Sequence, residues 1–541
     1  IGSLIGSRPS FDAGDTGGEL SYDQWFRGPV APFAGVEWRP NDRWGFKFEY
    51  SSDAYVQEAE RRDVFERRSP FNFGVEYQVS DSLRLGAYGM YGDTFGVLAS
   101  FTFNPARRDS PLVLRAPPPF PERPKRNEYP ELWEANWLDR PDAEGILGQR
   151  MADALEAEGV TVLGFEIDAV EARILTENNR YRSTPNAIGR IARVMAAVLP
   201  ISVETFSIVL VDAGLPISRV VMRRSDLERL APLPDAAEQL RPLVGIATAS
   251  STNLPKALPD IYPRFDCSIG PYFRQALFDP QNPILLEFGA RVQASYEFAP
   301  GLILSGSVAQ EVLSDFDQIR VSDSNLPPVR TLAGLYEQGS GPVIENLTAS
   351  YVRGLGNNFF GRASAGIFER MYGGVSGEIL WKPVSSRLGL GVEVNYARQR
   401  DFDGLFGFRD YDVITGHASA YYDWGGGYFT QIDAGRYLAG DWGATFTLDR
   451  EFSNGWKVGA FATFTNVSAE DFGEGSFYKG VRLTIPLSYI TGQPTKNTTS
   501  TVLRPIQRDG GARMNVPGRL YERVRSGDVR RLDEEWARVW R

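Results

Sequence analysis

The chain of 541 residues carries one cysteine, Cys267, and one histidine, His417. A lone cysteine excludes an internal disulfide, and its scarcity fits an oxidising compartment. No nucleotide-binding loop, zinc-ligand spacing or serine-hydrolase elbow occurs, so no cofactor, metal or nucleotide chemistry is expected. A basic excess is also missing: 68 acidic against 58 basic residues give a net charge of −10, which argues against a nucleic-acid partner. No run of about 18 apolar residues is present, which excludes a helical membrane span. A membrane barrel stays open, because a spanning strand needs only ~9–11 residues and turns half of them to the lumen.

What the chain does have is period-two alternation, with 12% aromatics and 55 glycines, a composition suited to hairpins and interfacial girdles. In "GVRLTIPLSY" Val481, Leu483, Ile485, Leu487 and Tyr489 alternate with Arg482, Thr484, Pro486 and Ser488. Successive side chains of a strand point to opposite faces, so this reads as a strand with one apolar face. A first block, residues 1–104, repeats one hairpin: Gly35-Val36-Glu37-Trp38 aligns with Gly74-Val75-Glu76-Tyr77, and Asp42 aligns with Asp81. A run through Phe95, Val97, Ala99, Phe101 and Phe103 closes the block.

Residues 105–143 form a Pro- and charge-rich linker. Residues 144–260 read as a small duplicated α/β module. A stripe of Ile146, Leu147, Met151, Ala154 and Leu155 predicts a helix stopped by Gly159, with strands over Val160–Ile167 and Val170–Leu175. Ser183-Thr184-Pro185 starts a second helix with Ile188, Ile191, Ala192 and Met195 inward, followed by strands over Thr205–Val211 and Ile217–Met222. From 261 to 490 the alternation dominates, with roughly a dozen runs against about five in the first block. Many reach membrane-strand length, and Trp38, Trp44, Tyr396, Trp424, Trp442 and Trp456 fall near strand ends, where an aromatic girdle would lie. A soluble β-sandwich gives similar alternation; strand length, aromatic ends and glycine-rich wet faces favour a barrel. Residues 491–541 are a polar linker and an arginine-rich tail, whose Leu532, Trp536, Val539 and Trp540 predict a terminal amphipathic helix docking on the protein itself. The fold class is therefore mainly β: one or more antiparallel barrels with an inserted α/β module.

Chemistry is sparse. Strand parity puts His417, Ser419 and Asp423 on one face, an arrangement that invites a catalytic reading but equally lines a lumen. Cys267, with no histidine nearby in sequence, is expected to be a small buried residue. Glu37 and Glu76 sit in corresponding hairpins and could pair across a lumen as glycosidase carboxylates do, or be balanced by Arg39, Arg362, Lys457 and Arg482. The balance favours no catalysis.

Three strings, "YDQWFRGPVAPFAGVEW" (Tyr22–Trp38), "GPYFRQALFDPQNP" (Gly270–Pro283) and "FERMYGGVSGEILWKP" (Phe368–Pro383), resemble the YjbH/GfcD family of exopolysaccharide and capsule biosynthesis proteins. The resemblance implies an outer-membrane barrel of a Gram-negative bacterium with a periplasmic module. Its implied partners are membrane lipids, a surface polysaccharide, and periplasmic or lipoprotein components of the same export system. The first block is short for a complete barrel, and Ile1 begins the chain without Met or a leader. This reads as processing or as a segment, with N-terminal strands missing or the first block pairing with the second. On this reading the protein is a conduit or scaffold whose lumen is lined by Glu37, Glu76, Arg362, Glu393, Asn395, His417, Asp433, Asp449, Lys457 and Arg482. All of these are assigned by parity, which one register slip would reverse. The rivals are a protein-handling barrel with a docking domain, whose module would run β-α-α-β-β, and a barrel enzyme that modifies a surface glycan.

Overall fold

A computed structural model describes residues 31–55, 59, 65–102, 104, 112–250, 253–277, 284–316, 325–339, 341–472, 477–504 and 509–541. Phe103, residues 22–30 of the first family string and residues 278–283 of the second lie outside these. The chain divides into two compact units, residues 1–109 and 110–541.

In the first unit β1 (Phe33–Trp38), β2 (Trp44–Ser51), β3 (Phe71–Gln78), β4 (Leu83–Met90) and β5 (Thr94–Phe101) form an antiparallel meander in chain order. Register puts Val36 opposite Phe48, Phe48 opposite Phe73, and Ala87 opposite Val97. One face is therefore continuously aromatic and aliphatic, and it is exposed: Trp38, Phe73, Phe95 and Val97 are each more open than closed. The other face carries Glu37, Lys47, Glu76 and Tyr88, with Glu76 buried.

The second unit opens with the α/β module: α1 (Ala143–Ala157), β6 (Val160–Ile167), β7 (Glu171–Asn178), α2 (Thr184–Val198), β8 (Thr205–Asp212), β9 (Leu215–Arg223), α3 (Arg224–Leu230), α4 (Ala236–Leu240) and β10 (Gly245–Thr248). Two antiparallel hairpins join through parallel β7 and β8 into a sheet ordered β10-β9-β8-β7-β6. Gly159, at φ +75°, takes the left-handed turn that ends α1, a conformation other residues adopt only with strain. Ile188, Ile191 and Met195 of α2 pack on Ile174, Phe206 and Ile208 of the sheet. Ile146, counted in the buried stripe of α1, is instead exposed, because the stripe turns away from the sheet at the helix's first turn.

Thirteen strands follow, each hydrogen-bonded to the next: β11 (Arg264–Leu277), β12 (Ile284–Ala299), β13 (Leu302–Ser314), β14 (Val343–Gly356), β15 (Phe359–Ile367), β16 (Tyr372–Trp381), β17 (Leu388–Arg400), β18 (Phe408–Gly425), β19 (Tyr428–Arg436), β20 (Trp442–Glu451), β21 (Lys457–Thr465), β22 (Tyr478–Pro486) and β23 (Thr498–Leu503). The sheet curls into a nearly closed barrel, with Gln275 Nε2 of β11 donating to Thr501 Oγ1 of β23 at 3.3 Å across the seam. An odd number of strands in strict antiparallel order leaves β11 and β23 running in the same direction. Pro271, which lacks an N–H, sits in edge strand β11, where one side has no ladder to break.

Along β17 the two faces separate completely. Leu388, Leu390, Val392, Val394 and Tyr396 are exposed, whereas Gly389, Gly391, Glu393, Asn395 and Ala397 are buried. The greasy side points out and the polar side points in, the reverse of a water-soluble barrel. The turns after β12, β16, β20 and β22 meet the module. Gly214 of the module abuts Gly301, Thr248 accepts from the Val384 N–H at 3.3 Å, Arg182 donates to the Ser453 carbonyl at 2.8 Å, and Lys496 donates to the Asn178 carbonyl at 3.1 Å.

Several expectations change. Leu487 and Tyr489 do not continue β22: residues Leu487–Thr491 form a short helix that begins after Pro486. The last strand, Thr498–Leu503, lies in the stretch read as linker, because its Thr and Ser residues carry strand propensity without apolar alternation. Trp456 is buried edge-on against Tyr489 at 5.2 Å, inside the girdle it was expected to join. Cys267 is exposed on the outer face of β11, paired with Ala294 of β12.

The filled lumen as candidate functional site

The inner face of the barrel is dense with charge, and most of it is paired. At the end away from the module, Arg274, Arg291 and Arg370 meet Glu287, Glu337 and Glu345, for example at 2.7 Å for Arg370–Glu337 and 2.6 Å for Arg291–Glu345. Midway, Arg362 bonds Glu378 at 2.9 Å and Glu393 at 3.2 Å, and Ser364 and Ser376 each accept from it at 3.0 Å. Nearer the module, Asp449 holds both Lys457 and Arg482 at 2.9 Å. Such groups are kept charged inside a protein only by partners of this kind, since an unpaired buried ion costs several kcal/mol, roughly 3–5 when one partner is removed.

The strands do not supply all the partners. The remainder come from residues 509–541, which enter at the end opposite the module and run through the lumen. The Asp509 carboxylate accepts from the N–H groups of Arg330 and Thr331 at 2.7 and 3.0 Å, and the Gly511 N–H donates to Asp441 at 2.8 Å. Deeper in, Arg513 pairs with Asp433 at 2.8 Å and Arg519 with Glu393 at 2.8 Å, while Glu378 accepts from the Leu520 N–H at 3.1 Å. Tyr521 stacks on Tyr421 at 4.0 Å and 6°, with Phe429 at 5.2 Å on the same ring. The segment leaves at the module: Lys382 pairs with Asp528, the Val529 N–H donates to Val384 at 2.9 Å, and Arg525 and Arg531 both reach Glu451.

Its last residues complete the module. Leu532, Trp536 and Val539 are buried in the same core as Ile191 and Phe206. Arg193 of α2 donates to the carbonyls of Val539 and Trp540 at 3.2 and 3.0 Å, and its guanidinium lies over the Trp540 ring. Burial, aided by neighbouring Arg190, pushes Arg193 down to about 10, which leaves it charged at neutral pH. The terminal apolar residues thus dock on the chain itself, as two short turns, Val529–Glu534 and Trp536–Trp540, instead of one continuous helix.

A cavity of about 930 Å³ lies beside this segment. It is walled by β19 to β23 and by the segment, and reaches from Arg330 and Tyr478 at one end to Tyr181 and Arg182 of the module at the other. Of the residues assigned to the lumen by parity, Asp433, Lys457 and Arg482 line this cavity. Arg362, Glu393, Asn395, His417 and Asp449 are buried on the inner face behind other side chains. Glu37 and Glu76 lie in the first unit, on one face flanking Gly45. Glu76 holds Lys47 at 2.7 Å and the Tyr88 hydroxyl at 2.5 Å, and Glu37 holds Arg39 at 2.6 Å.

His417 makes no serine-histidine pair. The Ser419 hydroxyl donates to Asp433 at 2.5 Å, while both His417 ring nitrogens are without a hydrogen-bond partner among the described residues and the ring packs edge-on to Tyr437 at 4.7 Å. Glu378, Glu451, Tyr421 and the arginines of the tail were not among the expected lumen residues. Their signal was compositional: strands β16 to β20 bring more carboxylates than cations to the inner face, and the excess arginine lies in the tail.

An antiparallel barrel that is apolar outside, ion-paired inside and filled by its own C-terminal segment, with an α/β module at one mouth, is a plugged β-barrel. Residues 2–526 match the YjbH family, described as exopolysaccharide biosynthesis protein YbjH, and the chain belongs to that family. It is 29% identical over 533 residues to a protein of Escherichia coli (strain K12) named uncharacterized lipoprotein YjbH, a match covering 93% of this chain and 72% of that protein. Among solved structures, the CymD monoaromatic hydrocarbon channel aligns with 81% of this chain and 78% of its own at 10% identity. Its TM-score is 0.14, a level at which the two folds do not superpose.

Proposed function

We propose that this chain is an outer-membrane barrel of a Gram-negative envelope that supports the export or assembly of a surface exopolysaccharide or capsule, with the α/β module on the periplasmic side. The carrying observation is the inner cavity of about 930 Å³ that runs the length of an apolar-jacketed barrel and ends against the module. Membership of an exopolysaccharide biosynthesis family supports the same reading. On it, Asp433, Lys457 and Arg482 are the wall groups a passing or docked polymer meets, and the remaining parity-assigned residues hold the wall together. The module is where periplasmic or lipoprotein partners of the export system engage.

The rival readings fit less well. The module runs α-β-β twice, unlike the β-α-α-β-β order of a polypeptide-transport domain. A glycan-modifying enzyme built on Ser419 and His417 would need the two in reach of each other, and Ser419 is bonded to Asp433, away from His417. The test is to delete the chain from its host, then assay cell-surface and periplasmic polymer and the membrane fraction that holds the protein. Loss of surface polymer, with the protein recovered from outer membrane, is expected. A protein found in the soluble fraction, or surface polymer unchanged, ends the proposal. Glu393→Gln and His417→Ala should leave polymer chain length unaltered; a shifted length distribution would favour the enzyme instead.

A further inference from the structure

The cavity beside the plug has a charge opposite to that of the chain. Ten lysine and arginine side chains line it against five carboxylates, in a protein of net charge −10. Adding the acids behind the wall, Asp449, Glu393 and Glu535, narrows the excess to two, ten cations against eight carboxylates, but those acids are sealed and their partners face inward. Asp449 is 2% exposed, whereas Arg482, which it holds, is 38% exposed. Glu393 stands in the same relation to Arg519, and Glu535 pairs with Arg182 at 3.0 Å. Glu522, the one carboxylate that projects freely into the space, is matched by Arg525 at 3.4 Å. Donors exceed acceptors as well: the Nε–H groups of Arg482, Arg504 and Arg513 have no acceptor among the described residues. Around the cations stand six hydroxyls of β20 to β23, among them Thr447, Thr463, Thr484 and Ser500, with the rings of Phe461 and Tyr478.

Cations lining an enclosure with low-dielectric walls concentrate anions there. Hydroxyls and ring faces add what sugar rings use, hydrogen bonds and stacking, and the volume falls within the roughly 300–1,000 Å³ of ordinary ligand sites. A lipid tail meets a wall of cations and hydroxyls among the apolar residues, and a neutral glycan leaves the excess of positive charge unbalanced. We propose that this cavity is a binding site for an anionic glycan, a segment of polysaccharide bearing carboxylate or phosphate groups, held by Lys457, Arg482, Arg519, Arg525 and Arg531. The inference deepens the export reading and rests on it for the glycan, while the charge preference is a property of the cavity alone.

The test uses the full chain in detergent micelles and calorimetric titration with three probes of matched length: oligogalacturonate, a phosphorylated mannan oligosaccharide and a neutral malto-oligosaccharide. At least tenfold tighter binding of one or both anionic probes is expected, weakening steeply with added salt. The two anionic arms tell which group the site takes. A triple variant, Asp449→Asn with Lys457→Gln and Arg482→Gln, removes two cavity cations without stranding the buried acid. It should weaken anionic binding at least fivefold while the circular-dichroism spectrum stays that of the parent. Should the triple variant not fold, Arg531→Gln alone serves, since Arg525 and Arg182 still hold Glu451. Equal binding of all three probes, a preference for the neutral one, no binding, or folded variants that bind as well as the parent each overturn the proposal. If deletion abolishes surface polymer yet the purified chain ignores charge, the export reading stands and the anionic site falls; charge-selective binding with export intact gives the converse.

Discussion

Glu393 takes hydrogen bonds from Arg362, Arg513, Arg519 and Asn395, so one carboxylate ties two wall residues to two residues of the plug. Glu393→Ala leaves three guanidinium groups facing each other around a buried gap. It should lower stability by roughly 3–5 kcal/mol, read as a lower denaturant midpoint in detergent. In the module, Glu204 is opposed by burial but held charged by Ser225 and by Arg123 at 3.0 Å, and the partners prevail, so its carboxyl lies below the usual range. A depressed acid contributes stability that is present above the unfolded carboxylate range and lost as pH falls through the folded value. The protection factors of the β8 amides, taken relative to the intrinsic exchange rate at each pH, should therefore fall on acidification from about pH 5, where unfolded-chain Glu begins to titrate. Glu204→Gln should flatten that dependence. At this scale the inward position of Glu393 and Asn395 was legible, because β17 has uniform faces on both sides and parity suffices. Their partners were not legible, since Arg513 and Arg519 lie more than a hundred residues downstream and nothing local to β17 announces them.

The elements divide between those that local rules specify and those that need a partner. α2 was readable from its Ser-Thr-Pro start and apolar stripe. β23 was not, being polar on both faces and short. Two elements meet where only one residue type fits: a Cβ added to Gly189 of α2 would come within 1.7 Å of the Val539 carbonyl. Gly189→Ala raises helix propensity by up to about 1 kcal/mol, yet it should expel the terminal turn. Trypsin cleavage at Arg538, faster than in the parent while α2 stays helical, would show this. Inside the barrel, Tyr521 is the apolar peg of the plug. Tyr521→Ala should cost about 3–5 kcal/mol locally, seen as lost amide protection over residues 520–528 with β17 unchanged. Equal loss of protection in both would mean that plug and wall open as one.

For the molecule as a whole, the decisive feature is the outer belt. Ile379, Val392, Val394, Ile414 and Leu448 are all more than half exposed, and fully covering a side chain of this kind is worth roughly 1.5–3 kcal/mol. Summed round the barrel, that surface is untenable in water. The chain should be monodisperse in detergent and aggregate when detergent is removed; size-exclusion chromatography decides. Barrel alternation was readable at this scale because most strands from β11 to β22 repeat it, with β17 the clearest case. The plug was not, because a segment that threads a lumen is shaped by distant strands such as β16, β17 and β19 at once and has no periodicity of its own.

The threading also imposes an order of assembly. Trp536 and Val539 belong to the module's core, yet the whole barrel is synthesised between the module's sheet and these residues. Until the thirteen staves have wrapped around the last stretch of polypeptide, the module keeps an open socket beside α2. A chaperone that shields this socket would be waiting for the end of the same chain, and a truncation of a dozen residues would leave that socket empty, with module and barrel joined only through the barrel's turns.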